Sequence, residues 1–243
     1  MKEKIIVTGS NGQLGKSLVP ILLNQNYEVI GIDLVHDDFL NDNKKYIKVS
    51  LDITNDDSVL DFFKSIKNKE ELVGLVNNAG VAVFSSFENR SYEEIKSVMD
   101  VNIAGTILMT KNFMNTTKNF KTSISIVNLG SIYGEVAPDL SIYGDTPRMS
   151  SEIYGMSKAA VINFTKYLAS FYKGHNARFN CVSPGGIEFN QGPEFKKQYN
   201  AKVPVGRMAK PEEISEVISF LLSNKSSYIN GENIMIDGGF TKW

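Results

Sequence analysis

Cysteine, tryptophan and histidine are almost missing from this chain of 243 residues, which holds one Cys, one Trp and two His. A lone Cys181 excludes any internal disulfide, and its apolar surroundings read as burial of a small side chain. His36 and His175 lie far from each other and from Cys181, so the ligand spacing of a metal site is lacking and no metal is expected. His36 reads as a solvated loop histidine and His175 as a residue at a helix C-terminus, where positive charge is favoured. Charge of one sign is lacking as well. The 26 basic and 27 acidic side chains leave a net charge of −1, so nothing general points to nucleic acid or an anionic membrane as partner. No apolar run approaches the ~18 to 20 residues of a membrane span. Met1-Lys2-Glu3-Lys4 leads into Ile5-Ile6-Val7, too short for a secretory h-region. With the free thiol, these absences point to the cytoplasm. What is present is ordinary core-forming material, 42% hydrophobic and 22% charged.

Apolar periodicity alternates along the chain. Ile5–Thr8, Tyr27–Asp33, Tyr46–Val49, Leu72–Val76, Ile124–Leu129, Arg178–Val182 and Asn233–Ile236 read as strands. Between them, Gln13–Asn24, Asp56–Lys67, Tyr92–Thr116, Ser150–Tyr172 and Glu212–Leu222 have helical spacing, the first despite Pro20. No repeat, linker or low-complexity stretch divides the chain. Strands alternating with helices imply right-handed crossovers. The expected fold is one Rossmann-type α/β domain over 1–243, a doubly wound, mostly parallel seven-stranded sheet with helices on both faces.

Two stretches carry chemistry. Thr8-Gly9-Ser10-Asn11-Gly12-Gln13-Leu14-Gly15 joins the first strand to the first helix. Glycines there let backbone approach a pyrophosphate, and the helix N-terminus offers free N–H groups, although a tight turn would look similar. Asp33 closes the second strand and can accept hydrogen bonds from ribose hydroxyls, while repelling a 2′-phosphate. The residues after it, Leu34-Val35-His36-Asp37-Asp38, are apolar and then acidic. NAD is therefore expected in preference to NADP. The second stretch is Tyr154-Gly155-Met156-Ser157-Lys158, which sets a phenol and an ammonium one helical turn apart. The cation should lower the phenol pKa from its ordinary ~10 and make it a usable acid/base. Alone, such a pair is an ordinary helix-surface pair.

In order along the chain come Thr8-Gly9, Asp52-Ile53, Asn77-Asn78-Ala79-Gly80, Asn102, Ser131, Tyr154 with Lys158, and Ser183-Pro184-Gly185-Gly186. Together these resemble the short-chain dehydrogenase/reductase family over nearly the whole chain. The resemblance implies an oxidoreductase in which Tyr154 exchanges a proton with the substrate while hydride moves to or from nicotinamide. It implies that Lys158 binds the nicotinamide ribose, that Ser131 orients the reacting oxygen, and that Asn102 holds a water in a proton relay. It further implies cofactor contacts from Gly9, Ser10, Asn11, Gly12, Gln13, Leu14, Asp33 and Leu34. Asp52 and Ile53 would flank the adenine, Asn78, Ala79 and Gly80 the adenosine ribose, and Pro184, Gly185 and Ile187 the nicotinamide amide. The two long helices would pair with a second copy in a homodimer, and the last strand with Phe240 to Trp243 in a homotetramer.

Two departures from the single-domain branch of that family stand out. Gln13 occupies the place of its second glycine, and the segment between Ser131 and Tyr154 is longer than usual. Both features look like the extended branch that acts on nucleotide sugars, yet too few residues follow Tyr154 for that branch's second domain, and the tail resembles the single-domain branch. The added stretch, Gly134 to Ser150, is punctuated by Gly134, Pro138, Gly144 and Pro147. It should arch over the pocket as loop or short turns, with Tyr133, Asp139, Tyr143, Asp145 and Arg148 offered to a substrate. Asn128 to Gly134, Ala137-Pro138 and the tail are similar to a subgroup described as flagellin-modification oxidoreductases. That implies a sugar, sugar phosphate or nucleotide sugar of surface-glycan synthesis as substrate. Two other readings are a sugar-nucleotide epimerase or dehydratase that retains its NAD, and a catalytically silent dinucleotide sensor.

Overall fold

Successive side chains of a strand point to opposite faces of its sheet, so a strand apolar at every position must be covered on both. The first strand, β1 (Lys4–Thr8), sends Ile5 and Val7 into one core and Ile6 into another. The computed structural model describes residues 3–117, 122–144 and 149–242. Beside β1 run β2 (Glu28–Asp33), β3 (Tyr46–Ser50), β4 (Leu72–Asn77), β5 (Ile124–Leu129), β6 (Ala177–Pro184) and β7 (Asn233–Ile236). They form one seven-stranded sheet in the order β3-β2-β1-β4-β5-β6-β7. Every neighbouring pair is parallel. The strand order reverses between β1 and β4. In such a sheet the crevice at the carboxyl ends of those two strands is where ligands sit.

Helix α1 (Gln13–Asn24) and α7 (Pro211–Leu222) cover one face through Leu18, Leu22, Ile214 and Ile218. Helix α2 (Asp56–Ser65), α4 (Thr106–Thr117) and α5 (Glu152–Phe171) cover the other through Val59, Phe63, Met109, Phe113 and Leu168. α1 runs through Pro20. Three helices start at side chains that accept a first-turn N–H: Asn55 before α2, Ser91 before α3 (Tyr92–Met99), and Ser151 before α5. Such caps contribute on the order of 1 kcal/mol each.

Three expectations need correction. The helix expected over Tyr92–Thr116 is not uniform: between α3 and α4 it widens into a π turn over Asp100–Gly105, with Asn102 buried inside it. Single π turns gather at functional sites because they re-aim one side chain without ending the helix. Second, the segment after β6 contains α6 (Pro193–Lys202). Its helical face is weak, since Tyr199 is its one buried residue. Gly192-Pro193-Glu194, with proline at the first helical position and an acid after it, was the available signal. Third, the stretch after Ser131 does not arch freely. A short turn at Leu140–Tyr143 folds back so that Ile142 and Tyr143 pack with Tyr199, Val203 and Met208 in a separate small core. Asp139, expected to face a substrate, instead pairs with Lys202 of α6 at 3.0 Å. Asp145, Pro147 and Arg148 lie outside the described residues.

Among the described residues no helix is long and apolar enough to cross a membrane, and no group of three potential ligands could hold a metal. His36, read as solvated, places Nε2 3.0 Å from the Val49 carbonyl oxygen.

Candidate active site

The glycine loop shows why it cannot be built from larger residues. Gly9 has φ +65°, and a Cβ there would lie 2.9 Å from the Ala79 Cα. A Cβ on Gly15 would stand 2.3 Å from the Gly9 carbonyl oxygen, so α1 starts hard against the loop. Gly12, the residue before α1, provides no side-chain cap. The first-turn N–H groups therefore keep their donor capacity for an anion. Thr8 and Asn78 sew the two strand ends together. The Thr8 hydroxyl accepts the N–H of Asn78 and Ala79 at 3.1 and 3.0 Å, and Asn78 Nδ2 donates to the carbonyls of Thr8 and Gly9.

Above this seam lies a cavity of about 510 Å³. It is lined by Gly9, Asn11, Gly12, Gln13 and Leu14, by Asp33 and Leu34, by Asp52 and Ile53, and by Asn78, Ala79 and Gly80. The structure thus brings twelve of the sequence-predicted cofactor residues to one wall system. The Asp33 carboxylate accepts the N–H of Asn11 and of Leu34, both at 2.9 Å, which fixes it at the rim. Asp52 accepts from the N–H and hydroxyl of Thr54. Ser10 is the exception. Its side chain is fully buried under Gly31, where the Tyr46 hydroxyl donates to it at 3.2 Å, so it faces the sheet and not the cleft. Ile32, Val35, Leu51, Val81 and Val101 complete the walls and carried no recognisable motif in the sequence.

A second chamber of about 430 Å³ shares Gln13, Leu14, Asn78, Gly80 and Val81 with the first. Tyr154, Lys158, Pro184 and Ile187 line it, as do Tyr133 and Tyr143, which the sequence offered to a substrate, and Ser150 and Ser151, which it did not mark as site residues. Gly185 does not line it. It sits behind, against Tyr199 and Asp237, with its N–H donated to the Ile236 carbonyl. Gln13, in the place of a glycine, reaches across the cleft and donates through Nε2 to the Glu188 carbonyl.

Tyr154 stands in the first turn of α5, whose start is pinned by the Ser151 hydroxyl accepting the Tyr154 N–H at 3.3 Å. The expected lowering of its pKa by Lys158 is not what this site does. Burial raises the phenol above its ordinary value, and only a hydrogen bond with the Ser131 side chain pulls it back. The lysine is committed elsewhere: Nζ donates to the Leu129 carbonyl at 2.7 Å and lies 5.7 Å from the centroid of the Tyr154 ring. Burial lowers Lys158 to about 8. The phenol is therefore a proton donor at neutral pH, and the lysine a cation that burial disfavours. Cys181, just below, is pushed up to about 11 by burial and is inert.

Asn102 was expected to hold a relay water. Its side chain acts as a staple: Oδ1 accepts the Val81 N–H at 2.8 Å, and Nδ2 donates to the Val81 carbonyl and to Ser157 Oγ. Ser157 in turn donates to the Tyr154 carbonyl at 2.7 Å. The π turn thus ties the loop after β4 to the turn of α5 that bears Tyr154.

The family model described as enoyl-(acyl carrier protein) reductase matches residues 15–241. A crystal structure of a short chain dehydrogenase from Leptospira borgpetersenii with bound NAD+ is 37% identical, with a TM-score of 0.94 over 99% of this chain and 93% of that one. The chain is similar to 2-(S)-hydroxypropyl-CoM dehydrogenase 3 of Xanthobacter autotrophicus, 29% identical over 98% of this chain and 96% of the relative. It is also 30% identical to the 3-oxoacyl-[acyl-carrier-protein] reductase FabG of Aquifex aeolicus, over 97% of this chain and 86% of the relative.

Proposed function

Because this chain belongs to the short-chain dehydrogenase/reductase family, we propose that it moves hydride between NAD and the secondary alcohol or ketone carbon of a neutral, polyhydroxylated substrate of the sugar type, in the cytoplasm. It is an NAD(P)-dependent oxidoreductase. The observation that carries the proposal is the continuity of the two chambers. A cleft shaped by glycines and rimmed by Asp33 opens through Gln13, Leu14 and Gly80 directly onto the Tyr154 phenol.

The bound nicotinamide supplies the hydride donor or acceptor. The chain's own residues do the rest. Asp33 accepts hydrogen bonds from the adenosine ribose, Asp52 and Ile53 flank the adenine, and Asn78 to Gly80 line the adenosine ribose side. Pro184 and Ile187 border the nicotinamide end. Lys158, one helical turn from Tyr154, offers its ammonium to the second ribose. In the reducing direction Tyr154 gives its proton to the substrate oxygen, which Ser131 orients. Asn102 keeps Val81 and the Tyr154 turn in register.

The chamber lining supports this substrate class. Among the described residues it contains no arginine or carboxylate, and its polar groups beside Lys158 are hydroxyls and amides from Gln13, Asn78, Tyr133, Tyr143, Ser150, Ser151 and Tyr154. Hydroxyls suit a neutral polyol, and among the described lining residues no arginine offers a phosphate its fork. Screening aldoses and their ketone counterparts for NAD(H)-linked absorbance change tests this; turnover confined to acyl thioesters would overturn it.

Cofactor choice is a separate expectation. With Asp33 at the rim, catalytic efficiency with NADH exceeds that with NADPH. Asp33→Asn weakens NADH binding by roughly tenfold, the worth of a hydrogen bond to a charged group, and narrows the gap. Equal efficiency of the wild type with both cofactors would contradict the role of Asp33.

The helix surfaces support an assembly of several copies. Tyr92, Met99 and Ile107 on α3 and α4, and Met156, Tyr167 and Phe171 on α5, are exposed apolar side chains. Burying such a patch is the usual reason for its existence. We propose a homodimer through these helices and a tetramer through β7 and Phe240, with Trp243 lying outside the described residues. Multi-angle light scattering at micromolar concentration should give a dimer or tetramer mass; a monomer would refute the assignment.

A further inference from the structure

Three phenols line the second chamber: Tyr154 from α5, Tyr133 from the turn after Ser131, and Tyr143 from the inserted stretch. Tyr154 serves the reacting oxygen. The hydroxyls of the other two stand 3.5 Å apart, at the long limit of a hydrogen bond. Burial and the neighbouring Tyr143 hold the Tyr133 phenol well above its ordinary pKa, so it remains a donor. Tyr143 also lies close enough to raise the Tyr154 phenol. A pair of phenols at that spacing can each turn a hydrogen bond toward one further hydroxyl.

What keeps Tyr143 there is α6. Its ring lies 5.3 Å from Phe195, Phe195 stacks on Tyr199 at 5.9 Å, and Tyr199 stacks on Phe240 at 5.1 Å. Tyr199 is locked from below, since its hydroxyl accepts the Gly186 N–H. A Cβ on Gly186 would lie 2.7 Å from the Tyr199 ring, so that approach needs glycine. The Asp139–Lys202 pair ties the same two segments at the surface. An aromatic ladder thus runs from the backbone beside the nicotinamide end of the cleft, through α6, to a hydroxyl beside Tyr154. Aromatic contacts of this kind contribute about 0.5 to 1.5 kcal/mol each beyond area burial.

We propose that Tyr143, with Tyr133, is a specificity-determining residue that recognises a second substrate hydroxyl beside the reacting carbon, and that Phe195 is the positioning residue that holds it. The proposal rests on the hydride-transfer reading above. The inserted stretch then works as a hydroxyl reader docked on α6.

Acetoin and butanone differ by one hydroxyl next to the ketone and serve as probes, with NADH as reductant. The wild type should prefer acetoin in kcat/KM. Tyr143→Phe keeps the ring and its packing, and should lower kcat/KM for acetoin about tenfold, the worth of one buried hydrogen bond, while butanone stays within about twofold. Phe195→Leu should raise KM for acetoin with kcat and the NADH Kd little changed, and Phe195→Tyr should restore it. An acetoin-to-butanone ratio unaltered in Tyr143→Phe overturns the proposal, as does an equal loss on both probes. A wild type no more active than Tyr154→Phe on either ketone removes the hydride-transfer premise itself and takes the proposal with it.

Discussion

Replacing Tyr154 by phenylalanine lowers turnover by about 10² to 10⁴, the range that a positioned general acid/base supplies. NADH affinity stays within a few-fold, because the walls of the first chamber come from residues at or after the ends of β1, β2, β3 and β4 and from Val101, and Tyr154 is not among them. The substitution removes one oxygen from a ring held by the first turn of α5, so the fold has no reason to change. Stopped-flow turnover and fluorescence titration of NADH separate the two effects. Retention of more than about one per cent of activity would sink the assignment. The raised phenol pKa sharpens the expectation: at neutral pH the group carries its proton and works as the acid in ketone reduction.

Lys158→Met is expected to abolish turnover and, at the same time, to stabilise the cofactor-free protein. Lys158 is 6% exposed, and no carboxylate contributes to its shifted pKa. Burial lowers it to about 8 from the usual lysine value. At about 1.4 kcal/mol for each factor of ten, that corresponds to roughly 3 kcal/mol of destabilisation at neutral pH, to order of magnitude. A methionine of similar length leaves the Leu129 carbonyl without its donor, which offsets part of the gain. The sign of the pH dependence follows. The folded pKa lies below the unfolded one, so between about pH 8 and 10 the unfolded chain binds the extra proton. Wild-type stability should therefore rise over that window, and the variant should lack that rise. Urea midpoints at pH 7 and 9.5 check both statements. A variant less stable than the wild type at pH 7 would show that the Leu129 bond outweighs the cost of the buried charge. Groups whose charge the site needs and the fold does not want are a common source of such opposed effects on activity and stability.

The sequence was most legible where local rules and the fold agree. Apolar strands bounded by glycine, and amphipathic helices such as Gln13–Asn24, act within a few residues, so their signals survive without tertiary context. Asp33, Asn78 and Lys158 were found because each closes a strand or sits in a recognisable run. Ser10 and Gly185 were misplaced for one reason. A position within a loop motif does not say which way the residue faces, and a crossing neighbour, Tyr46 in one case and Tyr199 in the other, decides it. α6 escaped because a helix with a single buried residue has almost no periodic signal.

By itself the sequence determined the alternation of strands and helices, the glycine loop at the end of β1 and the spacing of Tyr154 and Lys158. These depend on backbone sterics and on periodicity, which are properties of neighbouring residues. Only the tertiary structure decided the protonation state of the site. Desolvation depends on everything packed around a group, and it raises the Tyr154 phenol while only the Ser131 hydrogen bond pulls it back. It also decided that Asn102 is a staple and that Tyr143 stands beside the catalytic phenol. Those roles require contacts between segments tens of residues apart, from Val81 to Ser157 and from Tyr143 to Phe195, and no local pattern encodes which distant side chains will meet.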